Sequence, residues 1–395
     1  MVAKRGVQQA SVRGRRVLVR VDFNVPQLPN GQVADDRRIR EALPTLDHLR
    51  TAGARTILMS HLGRPGGRRD PQLTLRPIAR QLSGMLGQPV PMATDCVGIE
   101  AIQQTARLSN GQVLLLENLR FHSGEEANDP AFAAQLAQLG EVFVEEAFGS
   151  VHRAHASTVG VPKLLPSYAG LLVQREIEEL SPLRTQPQRP YAALIGGAKV
   201  ADKLPLLASF LGRADTLLIG GALAHPFLAY QGAPIGGEAL TPGLQKALGE
   251  FDRRAEETGT RILLPIDLEV EIEREGKTEV EIVPVPELPV GAIGQDIGPA
   301  TIAQFIEAMQ GSKTVFWNGP LGRTEDARFV AGTKAVLDGL RSIPGHHIGA
   351  GGDSARAVRE LGVSDAFAFL STGGGAALEY VQGVDLPGLS VLPDA

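Results

Sequence analysis

Polar and basic residues follow the apolar runs in the first half of this 395-residue chain. They stand after each of four runs and in one loop-like stretch, at Asp22, Asn24, Arg38, His61, Arg64, Asn118, Arg120 and Arg153. The planar fork of an arginine donates two parallel hydrogen bonds to a phosphate or a carboxylate. The pattern therefore predicts a basic pocket for a small metabolite that carries several negative charges.

The apolar runs of the second half are followed instead by glycine-rich segments, which read IGGAK, IGGAL, WNGPLG, GAGGDS and STGGG. Glycine lets backbone N–H groups approach phosphates closely. Residues 351–354 open a predicted helix at 354–361, whose N-terminus favours an anion, and Asp353 is a natural ligand for Mg²⁺ that bridges phosphates. Lys199 and Lys203 flank the start of another predicted helix. These features indicate a nucleotide site.

The elements that must position these residues are short runs that are apolar throughout, which is typical of strands buried on both faces of a parallel sheet. The predicted strands are 17–23, 56–59, 113–116, 142–144, 191–195, 216–219, 262–266, 314–317 and 367–370. The segments between them are long enough for crossover helices, as at 72–86 and 203–211. We predict an α/β fold with open parallel sheets, in which ligands bind at the carboxyl ends of the strands.

Length and proline content predict the domain organisation. At roughly 100–200 residues per domain, two domains are expected. The break lies near 168–190, where a predicted helix at 170–180 precedes a proline-rich linker at 181–190. An interdomain connector and an ordinary surface helix with a loop both fit this segment. The charged, alternating segment 269–283 predicts a β-hairpin whose turn includes Glu275–Gly276–Lys277.

Composition excludes several classes of protein. The single cysteine, Cys96, excludes an intrachain disulfide and a cysteine-rich zinc module. We find no signal-type apolar core and no apolar stretch approaching about 20 residues, so we expect a soluble, cytoplasmic protein without a membrane span. The net charge of −5 argues against general nucleic-acid binding.

Known motifs narrow the function further. The sequence holds no G-x-x-x-x-G-K-[ST], no convincing G-x-G-x-x-G after the first strand and no G-x-S-x-G. Two functions stay open at this point. An NAD-dependent oxidoreductase needs the missing dinucleotide fingerprint, and an exported anion-binding protein needs an export signal and no magnesium ligand.

Ten segments, in the same order and at the same spacing, make the chain resemble the phosphoglycerate kinase family over nearly its whole length. They read RVDFNVP, DDRRIR, SHLGRP, ENLRFH, FGSVHRAHAST, GGAKVADK, DIGP, WNGPLG, GGDSA and STGGGAALEY. The resemblance implies two Rossmann-like, doubly wound parallel-sheet domains joined by a helix and hinge. It also implies reversible, Mg²⁺-dependent phosphoryl transfer from 1,3-bisphosphoglycerate to ADP, a glycolytic step that gives ATP and 3-phosphoglycerate.

The resemblance also implies the domains and the site. The expected parts are a phosphoglycerate-binding domain (1–169), a helix and linker (170–190), a nucleotide-binding domain (191–375) and a tail returning to the first domain (376–395). The acid site is expected at Asp22, Phe23, Asn24, Arg38, His61, Leu62, Gly63, Arg64, Arg120 and Arg153. The nucleotide site is expected at Lys199, Lys203, Gly220, Gly221, Asn318, Pro320, Glu325, Gly351, Gly352, Asp353 and Ser354. Asp353 would hold Mg²⁺, and the protein would be a monomer.

Catalysis should need no general base, because an acyl phosphate is a good donor and the reverse nucleophile is an ionised carboxylate. Arg38, Lys199 and Lys203 are the expected catalytic residues, acting by charge stabilisation of the transferring phosphoryl group. Some positions depart from the usual family pattern and could retune the nucleotide pocket. They are Ala222, Leu223, His225, Pro226, Leu321, Arg323, Thr324 and Ala350.

Overall fold

The computed structural model describes residues 3–237, 239–274 and 277–395. The chain divides into two compact units, one formed by residues up to 178 together with 385–395, and the other by residues 179–384. Each unit has its own apolar core and its own parallel sheet.

The first unit is built on a five-stranded parallel sheet with strand order β3-β2-β1-β4-β5. Its strands are β1 (Arg16–Arg20), β2 (Arg55–Met59), β3 (Val113–Leu115), β4 (Val142–Glu145) and β5 (Ser167–Ala169). The strand order reverses between β1 and β4, which creates the crevice where ligands bind in doubly wound sheets.

Helices cover this sheet and connect its strands. They are α1 (Arg37–Thr51), α2 (Arg76–Leu86), α3 (Ile99–Ala106), α4 (Ser123–Glu126) and α5 (Pro130–Ala137). A further helix, α6 (Leu171–Arg184), begins in this unit and continues into the second after residue 178. In α2, Ile78, Leu82 and Leu86 recur on one face and are buried in the core. This helix ends at Gly87, whose φ of 62° is a left-handed conformation that glycine adopts without a steric penalty.

The second unit contains a six-stranded parallel sheet with order β14-β13-β12-β6-β7-β8 and a three-stranded antiparallel sheet with order β10-β9-β11. The parallel strands are β6 (Tyr191–Ile195), β7 (Thr216–Ile219), β8 (Arg261–Leu263), β12 (Thr314–Asn318), β13 (His346–Gly349) and β14 (Phe369–Leu370). The antiparallel strands are β9 (Asp267–Arg274), β10 (Lys277–Pro284) and β11 (Gly294–Ile297).

The helices of the second unit connect these strands and bury apolar faces against them. They are α7 (Val200–Phe210), α8 (His225–Tyr230), α9 (Pro242–Thr258), α10 (Pro299–Met309), α11 (Ala331–Leu340), α12 (Gly352–Glu360) and α13 (Gly375–Gln382). The side chains of Trp317 and Phe305 are fully buried in this core.

The C-terminal segment belongs to the first unit and contains a short helix, α14 (Pro387–Ser390). The Lys4 ammonium forms an ion pair with Asp394 at 2.8 Å and donates to the carbonyl of Leu392 at 3.0 Å. This segment starts at 385, later than the predicted start at 376, because α13 packs on α7 within the second unit. Arg213 supports that packing by donating to the Val381 carbonyl at 2.9 Å.

The parallel α/β architecture is confirmed, and the differences from the sequence prediction lie at element ends. Helix α6 extends to Arg184, so the first four residues of the predicted linker 181–190 are helical despite Pro182. Contacts of the last turn override the proline: Ser181 hydrogen-bonds the Tyr380 hydroxyl at 2.7 Å, and Leu183 is buried. The helix predicted at 354–361 begins earlier, at residue 352.

Several strands also differ from the prediction. The first strand ends at Arg20 instead of residue 23, and the last comprises only Phe369–Leu370. Strands β5 and β11 were not predicted, because each is short and lacks an apolar run. The hairpin prediction is confirmed by antiparallel pairing of β9 with β10, while Glu275 and Gly276 of its turn lie outside the described residues.

Within the described ranges, none of the helices combines the length and apolar character that a membrane crossing requires.

Candidate active site

The loop after β1 and the first turn of α1 meet through Arg38. Its Nη1 donates to Oδ1 of Asp22 at 3.0 Å and to the carbonyl oxygen of Asn24 at 3.1 Å. Burial alone would raise the pKa of the Asp22 carboxyl, but the positive charge of Arg38 and its neighbours holds this pKa below its usual range. An ionised Asp22 therefore orients the guanidinium, whose remaining donors are left for a ligand.

The loop after β2 is joined to both neighbouring loops. Asn24 Oδ1 accepts the N–H of Gly63 at 2.9 Å. On the other side, Asn118 donates to the Leu62 carbonyl at 2.8 Å and accepts the Leu62 N–H at 3.2 Å. Arg120, only 3% exposed, donates to the Gly63 carbonyl at 2.7 Å. These bonds hold the three loops in one arrangement.

His61 contacts a buried arginine, Arg20, that was not predicted from the sequence as a site residue. Arg20 is 1% exposed, and its Nη2 lies 3.0 Å from Nδ1 of His61. Because a guanidinium has no acceptor, Nδ1 must accept, and the ring proton sits on Nε2. Burial lowers the pKa of His61 well below its ordinary value, so the ring is a neutral donor through Nε2. An arginine inside the apolar run VLVRVDF was the available signal, since buried arginines are rare.

The remaining members of the predicted acid site follow strands of the same sheet. Phe23 is buried and donates its N–H to the Ser60 hydroxyl at 2.9 Å. Arg64 is exposed, without a side-chain partner among the described residues. Arg153 follows β4, is half-buried and donates through Nε to His152 at 3.1 Å. All ten predicted residues thus lie on β1, β2, β3 and β4 loops or at the start of α1.

The arginines at this sheet edge repel one another, which affects the pKa of Arg120. Burial, and then repulsion by Arg153 and Arg20, lower the pKa of Arg120, while Glu126 opposes them from 3.1 Å. Burial and the same cations lower the pKa of His155 to about 4. Positive charge is therefore concentrated at this edge of the sheet, where it attracts an anion.

Buried carboxyl groups lie beneath this positive edge. Glu145, at the end of β4, is fully buried, and burial raises its pKa to about 8 although Arg20 opposes the shift. Its Oε1 accepts the Ala147 N–H at 2.9 Å, and its Oε2 has no hydrogen-bond partner. Burial also raises the pKa of Glu125 and of Glu146.

The raised pKa of Glu145 makes stability depend on pH. The native state binds this proton more tightly than the unfolded state, so its contribution is complete below about pH 4.5 and is lost as pH rises through about 8. Glu145→Gln keeps the acceptor for Ala147 and cannot ionise. We expect the stability difference, variant minus wild type, to grow by up to about 1.4 kcal/mol per pH unit between pH 5 and 8. Urea unfolding across that range measures it, and a difference independent of pH would contradict a protonated Glu145.

In the second unit, Lys203 and Asn318 lie at the centre of the predicted nucleotide site. Lys203, one turn into α7, donates to the Gly196 carbonyl at 2.6 Å and to Oδ1 of Asn318 at 2.8 Å. Asn318, at the end of β12, donates to the Ala350 carbonyl at 2.8 Å. Ser354 of α12 accepts the Gly319 N–H at 2.8 Å. Three loops at the carboxyl edge of the sheet are therefore tied together.

Two glycines of this site have a clear steric requirement. Gly221 has a φ of 65°, and a Cβ there would lie 3.0 Å from the carbonyl oxygens of Gly197 and Pro320. Gly351 has a φ of 106°, and its Cβ would lie 2.4 Å from Nδ2 of Asn318. Side chains at either position would separate the loops. Gly220 follows β7 directly, whereas Gly352 begins α12 and has open space around it.

The charged residues at the edge of this site are exposed. Asp353 lies in the first turn of α12, with its side chain 77% exposed. Arg356 lies 3.3 Å from Asp353 and 3.3 Å from Glu325, so it bridges the two carboxylates. Lys199 precedes α7 with a φ of 58°, a left-handed conformation that is uncommon outside glycine. Burial lowers the pKa of Lys203 to about 8, although Asp353 opposes this.

The departures from the family pattern lie beside these loops. His225 is buried in the first turn of α8, and burial lowers its pKa to about 4. Its ring contacts Gly237 and Gly294, where an added Cβ would lie 3.4 Å and 2.9 Å from ring nitrogens. Ala350 stands where the family pattern has glycine. Asn318 donates to its backbone carbonyl, and this hydrogen bond does not depend on the side chain at position 350.

Two doubly wound α/β units, one with arginines and the other with glycines and a lysine at the strand ends, define a phosphotransferase that takes an anionic acid and a nucleotide. The family model described as phosphoglycerate kinase matches residues 7–384. The chain belongs to the phosphoglycerate kinase family.

Individual relatives agree with the family model. A phosphoglycerate kinase of Moorella thermoacetica is 46% identical over 393 residues, covering 100% of both chains. That of Rubrobacter xylanophilus is 46% identical and covers 99% of this chain and 98% of its own. Among solved structures, phosphoglycerate kinase from Coxiella burnetii matches with a TM-score of 0.88 at 34% identity, covering 98% of each chain. The Pyrococcus horikoshii enzyme matches with a TM-score of 0.83 at 29% identity and the same coverage.

Proposed function

We propose that this chain interconverts 1,3-bisphosphoglycerate and ADP with 3-phosphoglycerate and ATP, using the strand-end residues of its two units as the two substrate sites. As a member of its family, it is a glycolytic kinase with a carboxyl group as acceptor. The observation that carries the assignment is the cluster of mutually repelling, partly buried arginines at one sheet edge. A coupled assay for ATP made from ADP and 1,3-bisphosphoglycerate tests it, and failure to form ATP would overturn it.

The proposed acid site follows from the donors of the first unit. The substrate carries a phosphate and a carboxylate or acyl phosphate, and both are acceptors only. Arg120 and Arg153 supply charge, and His61 supplies a neutral Nε2–H donor. The contributing residues are Asp22, Phe23, Asn24, Arg38, His61, Leu62, Gly63, Arg64, Arg120 and Arg153. Asp22 acts indirectly by orienting Arg38.

The proposed nucleotide site uses the glycine loops of the second unit. Backbone N–H groups at the start of α12 and the Lys203 ammonium are donors suited to phosphates. The contributing residues are Lys199, Lys203, Gly220, Gly221, Asn318, Pro320, Glu325, Gly351, Gly352, Asp353 and Ser354. We expect adenine to lie beside the glycine loops near His225.

Mg²⁺ is proposed to enter this site with the nucleotide. Magnesium ions in kinase sites keep several waters and take one or two carboxylates plus substrate phosphates. The exposed Asp353 carboxylate fits this requirement, since Arg356 is its only charged partner within 4 Å among the described residues. Bound Mg²⁺ would neutralise phosphate charge.

The proposed mechanism relies on positioning and charge. The transferring phosphoryl group spreads negative charge over its equatorial oxygens, and preorganised donors stabilise it there. On the acid side, the proposed donor to the phosphoryl group is Arg38, which Asp22 orients. On the nucleotide side, it is Lys203, which Asn318 orients. Lys199 is a further donor at the start of α7. No residue needs to remove a proton, because the acceptor oxygen is already ionised.

Asp353→Ala is expected to raise the KM for Mg-nucleotide while leaving the KM for 3-phosphoglycerate unchanged. The variant should fold normally, because the side chain is 77% exposed. Activity titrated against free Mg²⁺ at fixed ATP measures the effect. Asp365→Ala is the matched control, an exposed aspartate that also pairs with an arginine, Arg341. An unchanged Mg²⁺ requirement in Asp353→Ala would remove Asp353 from the metal site.

The substrates are proposed to bind to different units, so direct transfer requires the units to close on one another. We place the hinge within residues 170–190, where α6 crosses the boundary at residue 178. Small-angle scattering should show a smaller radius of gyration with both substrates than with either alone. An identical radius in all three samples would count against closure.

We also propose that the protein is a monomer and is located in the cytoplasm.

A further inference from the structure

Three potential metal ligands meet in the first unit outside the proposed acid site. Asp95 and Cys96 lie just before α3, and His122 lies between the turn after β3 and α4. A carboxylate oxygen, the thiol sulfur and a ring nitrogen all lie within 4.8 Å of one another. Nε2 of His122 is 2.6 Å from Oδ1 of Asp95. The cluster mixes three ligand types, which distinguishes it from a surface patch of acidic groups.

Neighbouring residues already orient the three ligands. The His122 ring stacks on Phe132 with centroids 5.2 Å apart. Arg69 binds the other oxygen of Asp95 at 3.3 Å, and the Cys96 N–H donates to Oδ1 at 2.6 Å. Such outer contacts fix ligand orientation in metal sites. The Cys96 side chain is fully buried, so its sulfur faces this cluster in a protected environment.

Metal binding at this cluster accounts for its own proton. A coordinating thiol is deprotonated by the ion, so the thiol proton of Cys96 is released to solvent as the metal–sulfur bond forms.

We propose that Asp95, Cys96 and His122 form a binding site for a thiophilic divalent cation of the zinc class, with water as the fourth ligand. Zinc accepts sulfur, nitrogen and oxygen ligands in tetrahedral geometry, whereas magnesium does not select thiolate. Nitrogen and oxygen ligands at zinc distances lie about 3.3 Å apart in tetrahedral geometry, so binding must open the Asp95–His122 contact by about 0.7 Å. The site is thus separate from the magnesium carried by the nucleotide.

Cobalt(II) is the probe that tests this site, because cobalt–thiolate bonds give a near-ultraviolet charge-transfer band. Cys96 is the only cysteine in the chain, so such a band can be assigned without ambiguity. We expect one equivalent of Co²⁺ to produce the band and one equivalent of Zn²⁺ to abolish it. Cys96→Ser should lose the band, and His122→Gln should weaken binding at least about tenfold.

His346→Gln is the matched control, because His346 also contacts a carboxylate, Glu179, at 2.6 Å but has no nearby thiol. It should bind Co²⁺ like the wild type. If Cys96→Ser does not fold, His122→Gln decides, since it keeps the thiol and its side chain is partly exposed. Absence of the band in the folded wild type, or unchanged Co²⁺ affinity in His122→Gln, would overturn the proposal.

Discussion

Replacing Arg38 by alanine is expected to lower kcat by about 10²–10³, the cost of removing one preorganised donor from a developing charge. The expectation rests on how Arg38 is held. Asp22 and the Asn24 carbonyl both bind the same nitrogen, Nη1, which fixes the guanidinium and leaves its other nitrogens for the phosphoryl group. Steady-state kinetics in both directions measure the loss.

Arg40→Ala is the matched control for this variant. Arg40 lies on the same helix, α1, and pairs with Asp36 at 2.8 Å, but it is exposed. Its removal should leave kcat close to that of the wild type. Asp22→Asn should produce a smaller loss than Arg38→Ala, because the guanidinium remains but is less firmly oriented. Near-normal turnover of Arg38→Ala would remove this residue from the mechanism.

Lys203→Ala is expected to cause a second loss of about 10²–10³ in kcat, because in the proposed mechanism its ammonium is one of the preorganised charges on the nucleotide side. Titration of Lys203 should also make kcat/KM depend on pH. Burial lowers its pKa to about 8, so the free enzyme loses this charge as pH rises through that value. We therefore expect kcat/KM of the wild type to fall above about pH 8.

Lys203→Arg separates charge from basicity, since arginine stays protonated throughout this range. It should retain more activity than Lys203→Ala and move the alkaline limb of kcat/KM to higher pH. Lys246→Ala, which removes an exposed lysine of α9, should change neither kcat nor the pH profile. An alkaline limb that stays in place in Lys203→Arg would assign the titration to another group.

Much of the fold could be read from the sequence because parallel strands buried on both faces are continuous apolar runs. Strands such as β6 and β7 were predicted with their observed bounds. Strands β5 and β11 were missed because their positions are defined by pairing partners and not by local composition. Helix α6 continued past its predicted end because contacts of Ser181 and Leu183 outweigh the effect of Pro182.

The sequence alone determined which residue types stand at the strand ends, and therefore the prediction of two kinds of anion site and the family resemblance. Only the tertiary structure decided how those residues are held. It buries Arg20 beside His61, so that the imidazole is a neutral donor, and it holds the partly buried Lys203 against a carbonyl and an amide oxygen. The spacing of residues along the chain does not show which side chains are buried or which groups they contact in the folded protein. Burial and these contacts set the pKa values and the orientation of the donors.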